Sequence, residues 1–188
     1  MKKTTKILAF VVAAATLLSV SACNPFSNTI DIPVTEETTT SAKGRPNPWT
    51  DSDTLDKALT YSAIDSFEVA PIKIGGEEIQ LLKYRSMEGM LEADYFYGAV
   101  ELYIRKGKHE LFNPDQDVSG DYTNYSNVWT LDCDGIKVTC KGNREGAATV
   151  SIWSSDNYDY AVLACGAGGD TDYGLKEDEV KEFVKGVK

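Results

Sequence analysis

Oxygen-bearing side chains at alternate positions are the first residues in this chain whose spacing could support chemistry. They are Asp115, Asp117, Ser119 and Asp121. Oxygen ligands at alternate positions, with a glycine turn, open a calcium-binding loop of the EF-hand kind. Such a loop needs a bidentate glutamate at its twelfth position, where this chain has Ser126. The four residues are calcium candidates without the defining ligand, and we predict neither a metal nor another cofactor.

Three thiols and one imidazole could in principle support nucleophilic or zinc chemistry. Apart from Cys23, the cysteines are Cys133, Cys140 and Cys165, and none of them lies in a Cys-x-x-Cys motif. A zinc site would need histidines or a fourth cysteine nearby, and His109 is the only histidine. This histidine follows two lysines in a predicted loop without an evident Ser, Cys or metal partner, which argues against a catalytic triad. We therefore predict small buried thiols and a protein that is not an enzyme.

Three aromatic residues are the candidate ligand-binding set: Trp153, Tyr158 and Tyr160. Strand alternation places them on the face opposite Ile152 and Leu163. An exposed aromatic patch there could bind a glycan or a protein partner. Cross-strand pairing of aromatic rings that stiffens the sheet is the commoner explanation of such a pattern.

The N-terminus suggests covalent chemistry at Cys23. Three lysines begin the chain, residues 7–22 form an apolar run, and the small residues Val20-Ser21-Ala22 precede the cysteine. This pattern resembles a bacterial lipoprotein signal peptide, and the resemblance implies cleavage before Cys23 and a diacylglycerol on its sulfur. Two acyl chains, at ~0.8 kcal/mol per buried methylene, form a stable anchor. Simple secretion after cleavage at Ala22, or a retained helix, are the alternatives, although a spanning helix needs roughly 18 to 20 apolar residues.

The resulting domain organisation is a signal peptide at 1–22, a tether at 23–48 and a single domain at 49–188. The tether contains a Thr- and Glu-rich run without apolar periodicity, so we expect it to be disordered. Loss of the signal peptide removes three lysines from a chain with 19 basic and 29 acidic residues, which leaves a net charge of about −13. Such a surface repels phosphate backbones and excludes nucleic acid as a partner. We expect a domain on the outer, extracytoplasmic face of the cell membrane, held there by lipid.

The elements of the domain follow from apolar periodicity. N-cap oxygens and i, i+3, i+4 spacing predict a short amphipathic helix at about 54–64. Alternation predicts strands at 79–85, 90–95 and 100–105. An apolar stripe that includes Phe183 predicts a terminal helix. Together these patterns predict an α+β fold: a curved antiparallel sheet of about seven strands in a meander, with an N-terminal and a C-terminal helix packed on one face.

Turn sequences in the second half predict how four strands pair. The turns are Asp134-Gly135, a three-residue loop at 143–145, and Asp156-Asn157. In that register Val150 lies between Val138 and Leu163, and all four strands present one continuous apolar face. Cys140 and Cys165 would then be two strand spacings apart, about 9 to 10 Å, which is too far for a disulfide.

Several short motifs carry a family resemblance: Asn47-Pro48-Trp49, Val118 to Tyr122, Lys141-Gly142-Asn143, Trp153 with its turn, and Gly174-Leu175. From Asn47 to Lys188 the chain resembles a family of uncharacterised lipoproteins of Gram-positive bacteria that carry a domain of unknown function. It departs from the family pattern at Lys176, where the family has a serine cap. The family domain is similar to carriers of the LolA and MucB type, curved sheets with helices on the concave side. The resemblance implies that the domain binds a hydrophobic ligand or a partner.

Three classes of function remain open. The leading one is a lipid-anchored extracytoplasmic binding or sensing module, whose partner is an unknown protein or apolar ligand. The second is a LolA-like carrier or chaperone for an apolar ligand, which needs an unfilled cavity lined by Leu131, Val138, Val150 and Leu163. The third, and least expected, is an enzyme that uses paired carboxylates in a pocket.

Overall fold

The computed structural model describes residues 47–112, 116–166, 168–170 and 172–188. The predicted signal peptide, Cys23 and the tether up to residue 46 lie outside these ranges. Within them, no helix is both long and apolar enough to cross a membrane. The elements in chain order are β1 Thr50–Ser52, α1 Leu55–Ser62, β2 Lys73–Ile74, β3 Glu77–Glu78, β4 Gln80–Met87, β5 Met90–Tyr97, β6 Val100–Lys108, β7 Asn127–Cys133, β8 Ile136–Gly142, β9 Val150–Ser155, β10 Tyr158–Cys165 and α2 Glu177–Gly186.

Eight strands form one open antiparallel sheet in the order β1-β4-β5-β6-β10-β9-β8-β7, and β2 pairs with β3 separately. The predicted α+β class, with an antiparallel sheet and two helices, is confirmed. The large sheet has eight strands instead of about seven, and it is not a single meander. Because β6 pairs with β10, the strands β4–β6 and β7–β10 are two meanders that meet in the middle of the sheet.

One side of the sheet, the helix side, forms the main core. Alternate residues of the central strands, such as Ile104 and Val162, share this core with Ala58 of α1 and Phe183 of α2. The helix α2 begins with three acidic residues and buries its apolar stripe, as expected for an amphipathic helix. Full burial of each large apolar side chain stabilises the fold by about 1.5 to 3 kcal/mol.

The opposite side, the loop side, is covered by the described residues of the connection between β6 and β7, 109–112 and 116–126. Phe112 and Val118 of this connection lie in a second apolar cluster with Val150 and Ala161 of the sheet. We call this connection the cover. Gly107 lies directly beneath it, where a Cβ would collide with the Phe112 ring. The strands β9 and β10 are therefore apolar on both sides. A strand of a half-exposed sheet would instead alternate apolar and polar residues.

The pairing of β8 with β9 differs from the predicted register. Val150 lies opposite Lys141 instead of Val138. The connection between these strands is longer than the predicted loop, because Ala148 pairs with Leu175 just ahead of α2. The offset is an odd number of residues, so Val138 faces the helix side and Val150 the loop side. The predicted continuous apolar face is therefore wrong, whereas the β7–β8 and β9–β10 registers are confirmed.

The three cysteines of the domain are free thiols, with Cys133 and Cys140 buried and Cys165 half-buried. Because β8 is shifted relative to β9, Cys140 and Cys165 face opposite sides of the sheet instead of sharing the predicted face. Burial raises the pKa of the Cys140 thiol to about 11. A thiol with such a pKa is protonated and unreactive at neutral pH.

Candidate functional site

The structure brings the three candidate aromatic residues to the helix side of the sheet. Trp153 and Tyr160 pair across β9 and β10 and stack with ring centroids 5.4 Å apart. They are only 3 % and 5 % exposed, so these two residues form the cross-strand aromatic pair that was the commoner explanation and not an exposed patch. The altered β8–β9 register is the reason, because it turns their face toward the helices. Tyr158 stays half-buried, and its hydroxyl hydrogen-bonds to Asp65 at 3.1 Å.

Lys106 is a buried cation beside these rings. It lies opposite Tyr160 across the β6–β10 pair and is 3 % exposed. Its Nζ donates to the carbonyl oxygen of Ser66 at 2.8 Å and lies 4.2 Å from the ring centroid of Tyr158. Among the described residues, no carboxylate oxygen lies within 4.0 Å of Lys106 Nζ, the distance limit for an ion pair. Burial lowers the pKa of Lys106, although Asp65 and Asp156 partly oppose that effect.

An open groove of about 460 Å³ leads to this lysine. We call it the Lys106 groove and define it by Lys106, Trp153, Tyr158, Tyr160, Val184 and Val187. Its size lies within the range of small-molecule sites, about 300 to 1,000 Å³. Besides Lys106 and its apolar residues, the groove is lined by polar and charged ones: Ser66, Ser155, Asp156, Lys185 and Lys188. Such an arrangement can bind and orient a ligand, because an ammonium flanked by aromatic faces is both charged and partly desolvated.

The alternation in β6 could have revealed Lys106 from the sequence. Val100, Leu102 and Ile104 point to the helix side, and one further step of the same period places Lys106 there. The strand was predicted to end at Arg105, so this lysine was assigned to the following loop. Its surroundings come from Ser66 and from the end of α2, which are distant in sequence and carry no local signal.

A second groove of about 560 Å³ lies beside the edge strand β7. It is lined by residues that include Val128, Trp129, Glu145 and Glu177. Val128 is 64 % exposed, and the groove contains no buried charge among the residues that line it. This groove is thus the natural comparison site for experiments on the Lys106 groove.

His109 has a partner that its sequence neighbours did not indicate. Its Nδ1 lies 2.9 Å and 3.0 Å from the two carboxylate oxygens of Asp159, and Ser154 Oγ donates to the same carboxylate at 2.5 Å. The partner of His109 is thus a carboxylate, and not the serine, cysteine or metal whose absence the sequence suggested. The order of contacts is not that of a triad, because the serine binds the carboxylate and not the imidazole. The three residues tie the end of β6 to the β9–β10 hairpin, where His109 N–H also donates to Asn157 O.

Two of the calcium candidates organise the cover of the loop side. Asp117 accepts hydrogen bonds from Ser119 and from Lys141 Nζ at 2.9 Å. Burial alone would raise the pKa of Asp117, but these hydrogen bonds outweigh it and lower the pKa. Asp121 accepts from the hydroxyl of Tyr125 at 2.6 Å. Asp115 lies outside the described residues, and those residues contain no cluster of three metal-binding acids, histidines or cysteines.

The loop side also holds a buried ion-pair cluster that the sequence did not predict. Glu92 is fully buried, and its two oxygens accept from Arg85 at 3.0 Å and Arg105 at 2.5 Å. The ring of Trp49 lies 5.1 Å and 5.6 Å from the two guanidinium carbons. Arg105 also donates to Ser119 O of the cover. Arg105 lies on the face of β6 opposite Leu102 and Ile104, and it contacts the Trp49 ring and Ser119 O, which are distant in sequence.

Asp94 extends this cluster toward the edge of the sheet. It is 6 % exposed, and its Oδ1 has no hydrogen-bond partner among the described residues. Burial, together with the charge of Glu92, raises the pKa of Asp94 to about 7. Glu92 and Asp94 are thus paired acids, but both oxygens of Glu92 are occupied by arginines. The pair therefore resembles a structural charge cluster more than an acid–base site.

These features define a class of protein: an open antiparallel α+β domain with a lysine-centred aromatic groove. Comparisons of the chain with models of protein families, with curated proteins and with solved structures each give no match. Functional argument for this chain therefore rests on the geometry of its own residues.

Proposed function

We propose that this protein is a lipid-anchored extracytoplasmic binding module whose ligand site is the Lys106 groove. One observation supports this proposal above all others. A buried ammonium without a carboxylate partner among the described residues lies at the foot of an open groove. A buried charge is costly to maintain unless it is paired, so an unpaired one beside an opening favours a bound ligand.

The membrane location is part of the same proposal. Lipid on Cys23 would hold the domain at the outer face of the cell membrane, and residues 24–48 would let it reach its ligand. The chain carries a net charge of −10, which weighs against nucleic acid and anionic bilayer surfaces as partners. The family resemblance, and the sheet curvature that it implies, belong to this proposal too.

The apolar-carrier alternative receives less support from the geometry. Of the residues expected to line its cavity, Leu131 and Val138 belong to the main core, while Val150 and Leu163 belong to the second cluster. All four are buried, and the two pairs lie on opposite sides of the sheet. A carrier of the LolA kind would need a continuous unfilled apolar surface, and these residues do not form one.

The carboxylate-enzyme alternative also lacks a suitable site among the paired acids. Glu92 is fully buried between two arginines, so a substrate could reach it only if the cover opened. General acid–base work needs a carboxylate within hydrogen-bond reach of the substrate. We therefore propose binding, and not catalysis, as the role of the domain.

Chemical-shift mapping tests the groove as the ligand site. The full chain, isotope-labelled and purified in detergent micelles, would be titrated with a panel of small water-soluble fragments that carry anionic, neutral or cationic groups. We expect shifts to concentrate at Trp153, Tyr158 and Tyr160, and Tyr158→Ala to abolish them. Shifts confined to Val128 and Trp129 would instead assign binding to the groove beside β7 and contradict the proposal.

A further inference from the structure

The Lys106 groove has two chemically distinct parts, and we infer from them that its ligand is a small organic anion: a carboxylate or phosphate carried on an apolar or aromatic body. This inference rests on the proposed function, because it names the ligand class of the same groove. The anionic group would meet Lys106, and the body would lie along the aromatic and aliphatic wall.

The ammonium group of Lys106 has hydrogen-bond donors that the described residues do not use. An ammonium group has three N–H donors and no acceptor. One donor goes to Ser66 O, and the Tyr158 ring lies close enough for a cation–π contact. Among the described residues, no carboxylate lies within ion-pair distance of the Lys106 ammonium, so none accepts from its remaining N–H donors. A ligand oxygen is the partner that would complete this site, because charge-assisted hydrogen bonds are the strong ones.

The second part of the groove is its wall. Tyr158 and Ile136 line the groove and are half-buried, so they offer accessible apolar surface, whereas the stacked rings of Trp153 and Tyr160 are only 3 % and 5 % exposed. Val184 and Val187 line the groove at the end of α2 and are only 6 % and 4 % exposed. A planar or branched apolar body fits such a surface, whereas a fully hydrated ion would leave it uncovered. The ligand should therefore be amphipathic and not a simple inorganic anion.

The charged groups around the groove come from several elements. Lys185 of α2 and Lys188 line it, and Lys185 is paired with Asp134 at 3.5 Å. Asp156 of the β9–β10 turn lines it as well, and Asp65 holds the Tyr158 hydroxyl. Lys106 is the one charge among these that is buried, so it should dominate head-group selection, since exposed charges are screened by water and salt.

A head-group series tests the inference on one constant body. Phenylacetate, phenyl phosphate, phenylacetamide and phenethylamine would be titrated into the full chain in detergent micelles, with affinities measured by ligand-observed NMR. We expect the two anions to bind at least about tenfold more tightly than the amide, as a charge-assisted hydrogen bond implies. The amine should bind most weakly. The ratio of carboxylate to phosphate affinity identifies which anion the groove prefers.

Matched variants locate the effect. Lys106→Met should weaken the anions at least about tenfold and leave the amide unchanged, because it keeps the aliphatic stem and removes the charge. Lys57→Met, which removes an exposed lysine of α1 that is paired with Asp53 and does not line the groove, should change none of the affinities. If Lys106→Met does not fold, the head-group series on the native chain still decides. Equal affinity of amide and anions within the groove would overturn the ligand class alone, whereas failure of all four compounds together with fragment shifts elsewhere would overturn the groove as well.

Discussion

At the scale of single residues, Glu92 shows how one buried charge can hold distant segments together. It binds Arg85 and Arg105, and through their contacts it connects Trp49 and the loop-side cover to the sheet. We predict that Glu92→Gln lowers the free energy of unfolding by about 3 kcal/mol, because it leaves Arg105 without its counter-charge and Arg85 with Asp51 alone, 3.3 Å away. Thermal melting monitored by circular dichroism measures the change.

The control is Glu88→Gln, which removes a charge from an exposed position in the neighbouring β4–β5 turn. Surface substitutions of this kind change stability by roughly 0.5 kcal/mol or less. Similar melting temperatures for the two variants would show that the ion-pair cluster does not hold the cover in place.

Asp94 gives a prediction about pH, because its pKa is about 7 in the folded protein and its ordinary value is 3.8. Between those values the folded state keeps a proton that the unfolded state has lost. The unfolding free energy therefore falls as pH rises through this window, and the contribution is fully present only below the ordinary value. Asp94→Asn imitates the protonated form. At pH values near 8 it should be more stable than the native chain by at least about 1.4 kcal/mol, the worth of a tenfold change in proton affinity.

Urea unfolding of both chains at acidic and alkaline pH checks this prediction. The groups that face Asp94 are Glu92, which disfavours its ionisation, and Arg85 and Lys83, which favour it. The stability difference should shrink toward acidic pH, where the native carboxyl is protonated. Parallel pH profiles for the two chains would mean that Asp94 ionises normally in the folded protein.

At the scale of elements, the parts of the sheet that local turns determine were predictable. Asp134-Gly135 has the positive φ angles of a two-residue hairpin, and both β7–β8 and β9–β10 pair as their turns predict. The β8–β9 register was not predictable in the same way, because Ala148 pairs with Leu175 from a distant part of the chain. One odd offset there changed which side the aromatic residues face.

The candidate groove was predictable only in part for the same reason. Trp153, Tyr158 and Tyr160 were identified from their spacing, and extended alternation would have added Lys106. The wall from α2 and the carbonyl of Ser66 depend on tertiary packing, which no local pattern encodes. Sequence periodicity thus predicted the strands and which of their residues share a face. Long-range contacts decided what each face packs against.

The covered loop side gives a prediction at the same scale. Val150 is fully buried there, so Val150→Asp would bury an unpaired charge and should cost several kcal/mol of a total stability of about 5 to 15. Thr139→Asp, on the exposed part of the same side of the neighbouring strand, should cost much less. Thr149 is unsuitable as a control, because it is buried and donates to Tyr173 O at 2.7 Å. Equal destabilisation in melting experiments would contradict the cover.

At the scale of the whole molecule, both sides of the central strands are occupied by the protein itself. Helices fill one side and the β6–β7 connection fills the other. Burial on two sides removes the apolar side chains of both faces from water and so stabilises the domain. The Lys106 groove, which we propose as the ligand site, is lined by residues of this packed sheet and of α2.

The last prediction concerns how the molecule is held at the membrane. We predict that Cys23→Ala shifts the protein from the membrane fraction to the soluble fraction and abolishes labelling by a radioactive fatty acid. The physical reason is that two acyl chains, at ~0.8 kcal/mol per buried methylene, would supply the attachment, while an acidic chain is repelled by anionic headgroups. Cys133→Ala is the matched control, because it removes a buried thiol of the domain and should leave labelling and fractionation unchanged. Membrane retention and fatty-acid labelling that persist in Cys23→Ala would refute the lipid anchor.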